Sequence, residues 1–218
     1  MEAFSVPERI RFWCFDIDNT LYTHADYARH QYDVLYSALA RWLEREEDPL
    51  REEIENWRST QARESKPSLG TAFTHWGADI AMSVAWRSRF IRPEDYLTPD
   101  HRLNESIGYL ISAGTRAIAV TNNPSDIGWR TLNCLGIEEL IEDVVGLDHS
   151  MASKPDSDHF DRALDSIGEP ARFGVSVGDR FAIDIKPALE RGMGGILVDG
   201  VEDVYRLPDS MAARLAAP

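Results

Sequence analysis

The run IRFWCFDIDNTLY, residues 10–22, decides the fold. Its first six residues carry one charge, and Arg11 to Phe15 has the length and aromatic content of a buried strand. The strand stops at two carboxylates one residue apart. In extended backbone, residues i and i+2 face the same way, so Asp16 and Asp18 can address one point from a strand end. Two carboxylates that close cannot both stay ionised cheaply unless a cation or a shared proton relieves them.

Further strands predicted downstream end in similarly polar sequence. Arg116 to Val120 runs into Thr121-Asn122-Asn123-Pro124, and Phe173 to Val177 runs into Gly178-Asp179-Arg180. Gly195 to Val198 ends at Asp199-Gly200, and Asp143 to Gly146 is a shorter candidate. Helices are expected between them: Pro99 to Ser112 with Gly114 at its C-terminal stop, Asp126 to Leu135 stopped by Gly136, Asp156 to Ile167 stopped by Gly168, and Pro187 to Arg191 closed by Gly192. Strands alternating with helices imply an α/β fold with a parallel sheet covered on both faces. Ligands in such sheets gather at the carboxyl ends of the strands, where every one of these polar clusters lies.

Residues 22–95 break the alternation. Val34, Leu35, Ala38, Leu39, Trp42 and Leu43 repeat at helical spacing, and helices are expected around Leu50 to Arg63 and Trp76 to Phe90, separated by Ser65 to Gly70. The expected organisation is a catalytic core of residues 1–21 and 96–218, with 22–95 inserted as a helical cap. Tyr27, Trp42 and Trp86 read as core aromatics, while His24, His30, Tyr32 and Arg87 are among the residues able to face a substrate.

The chain has 218 residues, 43% hydrophobic and 28% charged, with a net charge of −14. That charge opposes non-specific binding to nucleic acid or an anionic membrane, so an anionic substrate must be attracted by a local site or a bound cation. Two cysteines, Cys14 and Cys134, suggest no disulfide framework, and Cys14 reads as a small buried side chain. The N-terminus lacks the basic and apolar regions of a signal peptide, and no stretch approaches eighteen apolar residues. The expectation is a cytoplasmic protein. Oligomeric state has no signature here.

Asp16, Asp18, Asp179 and Asp184 form a candidate magnesium site built from carboxylates, with no His or Cys to suggest zinc. An aspartate can also attack phosphorus, giving an acyl phosphate that water cleaves. A second acid must protonate the leaving alcohol and then deprotonate water, and Asp18 has the type and position for it. Thr121, Asn122 and Lys154, the last followed by Pro155, are the candidates for holding phosphate. Each motif alone is ordinary: a DxD, a strand-to-turn TNNP, a loop lysine, a GDR turn. Their order along one alternating sheet makes them specific.

Asp16-Ile17-Asp18-Asn19-Thr20, Thr121-Asn122-Asn123, Lys154-Pro155 and Gly178-Asp179-Arg180 with Asp184 resemble the four motifs of the haloacid dehalogenase-like hydrolase superfamily. The helical insert is similar to its first cap position. The resemblance implies a Rossmann-like three-layer α/β/α core and Mg²⁺-dependent phosphoryl transfer from a small phosphorylated metabolite, with Asp16 as nucleophile and metal ligand and Asp18 as acid/base with its main-chain carbonyl on the metal. Thr121 and Lys154 would hold phosphate with Asn122 beside them, and Asp179 and Asp184 would complete the metal shell, directly or through water. The form of motif one, with Asn19, looks most like the pyrimidine 5′-nucleotidase-type branch. True dehalogenases of the superfamily need no protonated acid, so Asp18 argues for a phosphatase over a 2-haloacid dehalogenase. The same core could also serve a phosphomutase or a non-catalytic binding protein.

Overall fold

The computed structural model describes residues 1–61, 68–155 and 158–215. Six strands form one sheet: β1 (Glu2–Phe4), β2 (Phe12–Phe15), β3 (Arg116–Val120), β4 (Val144–Val145), β5 (Gly174–Gly178) and β6 (Gly194–Leu197), in the order β1-β6-β5-β2-β3-β4. All neighbours are parallel except β1, which pairs antiparallel with β6. The expected parallel sheet is therefore mostly parallel, with an antiparallel edge that sequence reasoning missed. Three residues, two exposed and one half-buried, carry no periodic signal from which β1 could be read.

β2 is central, and all four of its residues are buried. Its alternation feeds two cores. Trp13 and Phe15 join Ala117, Ala119, Val175 and Val177 under the helices α5 (His101–Ser112), α6 (Ser125–Leu135), α10 (Val201–Val204) and α11 (Leu207–Leu215). Phe12 and Cys14 join Ile118 and Val120 on the other face, beneath α8 (His159–Ile167) and α9 (Lys186–Glu190). A continuous apolar run is what a strand covered on both faces requires. Cys14 is buried, as expected, and burial pushes its thiol up to about 12.

From β2 the chain moves out one way to β3 and β4, then crosses back to β5 and β6 on the other side. That reversal opens a crevice at the carboxyl ends of β5, β2 and β3. Between β2 and β3 stand α1 (Ala25–Leu43), α2 (Glu47–Thr60), α3 (Leu69–His75) and α4 (Ile80–Phe90). They pack around their own cluster, which includes Leu35, Leu39, Leu50, Ile54 and Phe73. Tyr27 is fully buried, whereas Trp42 stays 45% exposed, its ring tilted against Trp86. The end of the second predicted helix (62–63), part of the connection after it (65–67) and the first two residues of the helix expected from 156 lie outside the described residues. Among those described, no helix is long and apolar enough to cross a membrane.

Candidate active site

Asp16 follows the last residue of β2, its backbone N–H donating to Val177 O at 2.9 Å. Lys154 lies between α7 (Leu147–Ser150) and α8, and its ammonium is 1% exposed. That ammonium donates to Asp16 Oδ1 at 2.7 Å, Asp184 Oδ1 at 2.8 Å and Val120 O at 2.7 Å. An ammonium has three protons, and all three have an acceptor. Burial opposes the lysine's charge, but Asp16 and Asp184 outweigh it and hold its pKa above the ordinary value. Asp16 is pushed up to about 7 by burial and by Asp184, against the pull of Lys154.

Asp184 sits in a π-helical turn, Phe181–Ile185, that runs into α9. Its main chain and side chain are both fixed: Ser176 Oγ donates to its carbonyl at 2.7 Å, and Arg180 N donates to its Oδ2 at 3.1 Å. It reaches the strand end because residue 178 is glycine. A Cβ there would stand 2.3 Å from Asp184 Cβ. Asp179 completes a trio with Asp16 and Asp184 whose oxygens lie within 4.8 Å of one another. Among the described residues Asp179 Oδ1, which is buried, has no hydrogen-bond donor, with Arg180 Nε 3.5 Å away, and burial raises the pKa of Asp179. Three converging carboxylates, one with an orphaned oxygen, suit a hard, oxygen-seeking divalent cation such as Mg²⁺.

Asp18 is not in this trio. The backbone turns after Ile17, Leu21 N donating to Ile17 O at 3.0 Å, and the two side chains have different partners. Asp18 Oδ1 accepts from Gln31 Nε2 at 2.8 Å and from Tyr22 Oη. Its Oδ2 accepts from Asn123 Nδ2 at 3.0 Å and, at the long limit, from Thr121 Oγ1 at 3.4 Å. Asn123 Nδ2 also donates to Gln31 Oε1 at 2.8 Å, and Arg87 Nη1 donates to Asn123 Oδ1 at 2.7 Å. Arginine can only donate, so it fixes the orientation of the Asn123 amide, which in turn fixes that of Gln31. Asn122 grips the main chain of Lys154 instead, its Oδ1 accepting from Lys154 N at 2.7 Å.

A cavity of about 870 Å³ lies between these strand ends and α1, α2 and α4. Asp18, Asn122, Asp179 and Arg180 line it on the sheet side, with Gln31, Tyr36 and Arg87 opposite. Asp16 and Lys154, each 3% exposed, lie beneath that surface, and Thr121 is wholly buried. The seven predicted residues thus surround one crevice, three of them at the cavity wall. Gln31 and Asn123 were missed as site residues. The signal for Gln31 was its place between Tyr27 and Leu35, a polar side chain on the apolar stripe of α1.

The family model described as haloacid dehalogenase-like hydrolase matches residues 10–190. The chain is 28% identical over 143 residues to a phosphoglycolate phosphatase of Caulobacter vibrioides, a match covering 62% of this chain and 60% of that protein. It is 34% identical over 90 residues to a glyceraldehyde 3-phosphate phosphatase of Methanothermobacter thermautotrophicus, covering 41% and 40% of the two chains. The matches thus span about half the length of these curated relatives. Among solved structures, a HAD phosphatase from Thermococcus onnurineus shares the fold with a TM-score of 0.67, at 19% identity over 94% of this chain and 99% of that one.

Proposed function

The chain belongs to the haloacid dehalogenase-like hydrolase family, and from that premise we propose that it is a magnesium-dependent phosphatase cleaving a small phosphate monoester through an aspartyl phosphate. The observation that carries the reading is the division of labour between the two motif-one aspartates. Asp16 shares Lys154 with Asp184 in the acidic trio, while Asp18 stands apart at the cavity wall among neutral donors.

In this reading Asp16, Asp179 and Asp184 hold Mg²⁺, with the main-chain carbonyl of Asp18. When bound, the ion would offset the mutual repulsion of nucleophile and phosphate and the charge that builds on transfer. An Asp16 carboxylate oxygen attacks phosphorus, and the bond from phosphorus to the alcohol oxygen breaks. Asp18 gives its proton to that oxygen. Asp18 then takes a proton from water as the water attacks the same phosphorus. The Asp16–phosphorus bond breaks, releasing inorganic phosphate and restoring the carboxylate. Lys154 and Thr121 hold phosphate charge, and Asn122 fixes the loop that carries Lys154. The helices of residues 22–95 serve as a cap that supplies the contacts to the rest of the substrate.

Phosphate release from a panel of nucleoside monophosphates, sugar phosphates, phosphoglycolate and glyceraldehyde 3-phosphate tests this, with and without Mg²⁺ and with Asp16→Asn as the blank. Magnesium-dependent release that disappears in the blank is expected. Release that survives in a folded Asp16→Asn protein refutes the mechanism.

A further inference from the structure

Among the described residues, four arginines line the cavity: Arg51, Arg58, Arg87 and Arg180. Three of them face carboxylates of this chain. Arg51 pairs with Asp33 and Glu47, Arg58 with Glu55, and Arg180 with Asp179 and Asp184. Among the described residues, Arg87 makes no ion pair. Its neutral partners are Asn123 Oδ1 at 2.7 Å and, weakly, Ser83 Oγ at 3.4 Å. A guanidinium has five N–H donors, and two are accounted for. Arg87 is half-buried, and burial lowers its pKa against the pull of the Asp18 carboxylate one amide away. A half-buried guanidinium at a cavity wall, with donors to spare, is a ready partner for an anion that enters.

Its location says which anion. Arg87 is separated from the Asp18 carboxylate by one amide, that of Asn123, and a hydrogen bond on either side. An alcohol leaving from beside Asp18 would place its next few atoms at Arg87. Building on the phosphatase reading above, we infer that Arg87 is a specificity residue that binds a carboxylate on the leaving alcohol of a short phosphomonoester. A planar fork matches a carboxylate, and one cation matches one negative charge. A second phosphate would bring about two charges to a single guanidinium, in a cavity whose other arginines, among the described residues, already have acidic partners.

The matched pair that isolates this contact is 3-phosphoglycerate against glyceraldehyde 3-phosphate, which differ by a carboxylate in place of an aldehyde. 1,2-Ethanediol bisphosphate provides the phosphate-tailed arm. Two measurements run in parallel: kcat/KM of the full-length chain with Mg²⁺, and calorimetric binding of the uncleaved esters to the Asp16→Asn protein. Each is repeated with Arg87→Gln and Arg87→Lys. The expected result is a preference for the carboxylate ester that shrinks about tenfold to hundredfold in Arg87→Gln and is partly kept in Arg87→Lys. Equal handling of both monophosphates by the unaltered chain overturns the inference and leaves the phosphatase reading intact. So does an equal fall for both in Arg87→Gln, which would mean that Arg87 acts through Asn123 alone. A preference for the bisphosphate overturns the assignment to a carboxylate. Arg87-dependent binding of the carboxylate ester without turnover of any ester upholds the inference and refutes the phosphatase. Binding of neither ester refutes the inference.

Discussion

Replacing Lys154 by Met removes three hydrogen bonds and one charge while keeping most of the side-chain volume. Left behind are the carboxylates of Asp16 and Asp184, 3% and 1% exposed, and the carbonyl of Val120. Removing one partner of a buried ion pair costs about 3–5 kcal/mol, because the remaining charge is stranded. In a chain of 218 residues each kcal/mol shifts the melting temperature by about 2–4 °C, so a fall of roughly 6–20 °C is expected. Urea denaturation in the presence of a chelator is the assay, since a divalent cation would mask the loss. Adding Asp184→Asn to the lysine variant removes one stranded charge and should return part of the stability. A loss below about 1 kcal/mol for Lys154→Met, or a double variant no more stable than the single, would refute the account of Lys154 as the counter-charge to both aspartates.

Other outcomes follow from the same geometry. Asp18→Asn should lower kcat by about 10²–10⁴-fold through lost proton transfer, measured as phosphate release; near-normal turnover would exclude Asp18 as the acid. Gly178→Ala should displace Asp184, whose Cβ lies 2.3 Å from the added methyl, and so weaken the magnesium-dependent rise in melting temperature; an unchanged rise would show that Asp184 does not need this close approach. His159 is fully buried, and burial, with Lys154 assisting, lowers its pKa to about 4. The unfolded chain takes up that proton below about pH 6.5 and the folded chain only below about 4, so stability falls as pH drops through this window, by about 3 kcal/mol in all. His159→Asn should flatten that limb of a stability–pH curve, and an unaltered slope would contradict it. For magnesium at 100 times its dissociation constant, linkage predicts about 2.7 kcal/mol of added stability, lost in Asp179→Asn.

The four motifs were legible because each is a short local pattern whose meaning depends on strand ends, and strand ends follow from apolar runs bounded by glycine, proline and polar residues. Arg116–Val120 was read to its boundaries, whereas β5 and β6 begin and end within one residue of their predicted limits. What was not legible is what the chain joins over long separations. The Gln31–Asn123 bond spans 92 residues and the Arg87–Asn123 bond 36. No spacing rule connects a buried glutamine on one helix to the second asparagine of a strand-end turn. Asp18 makes the same point: its carboxylate is held by Gln31 and Asn123, partners that its spacing from Asp16 does not reveal.

The bonds from Arg87 through Asn123 and Gln31 to Asp18 run in one direction, from a group that can only give protons to one that, as a carboxylate, can only receive them. Each amide passes the polarity on. An exchange that keeps shape but reverses sense, such as Asn123→Asp, would therefore not be a local change. It would turn one donor into a second acceptor facing Asp18, and every neighbour would have to re-aim or a proton would have to be held to restore the order. In that sense three helix and loop positions far apart in sequence inherit their permitted residues from a single aspartate, and can change only in concert with it.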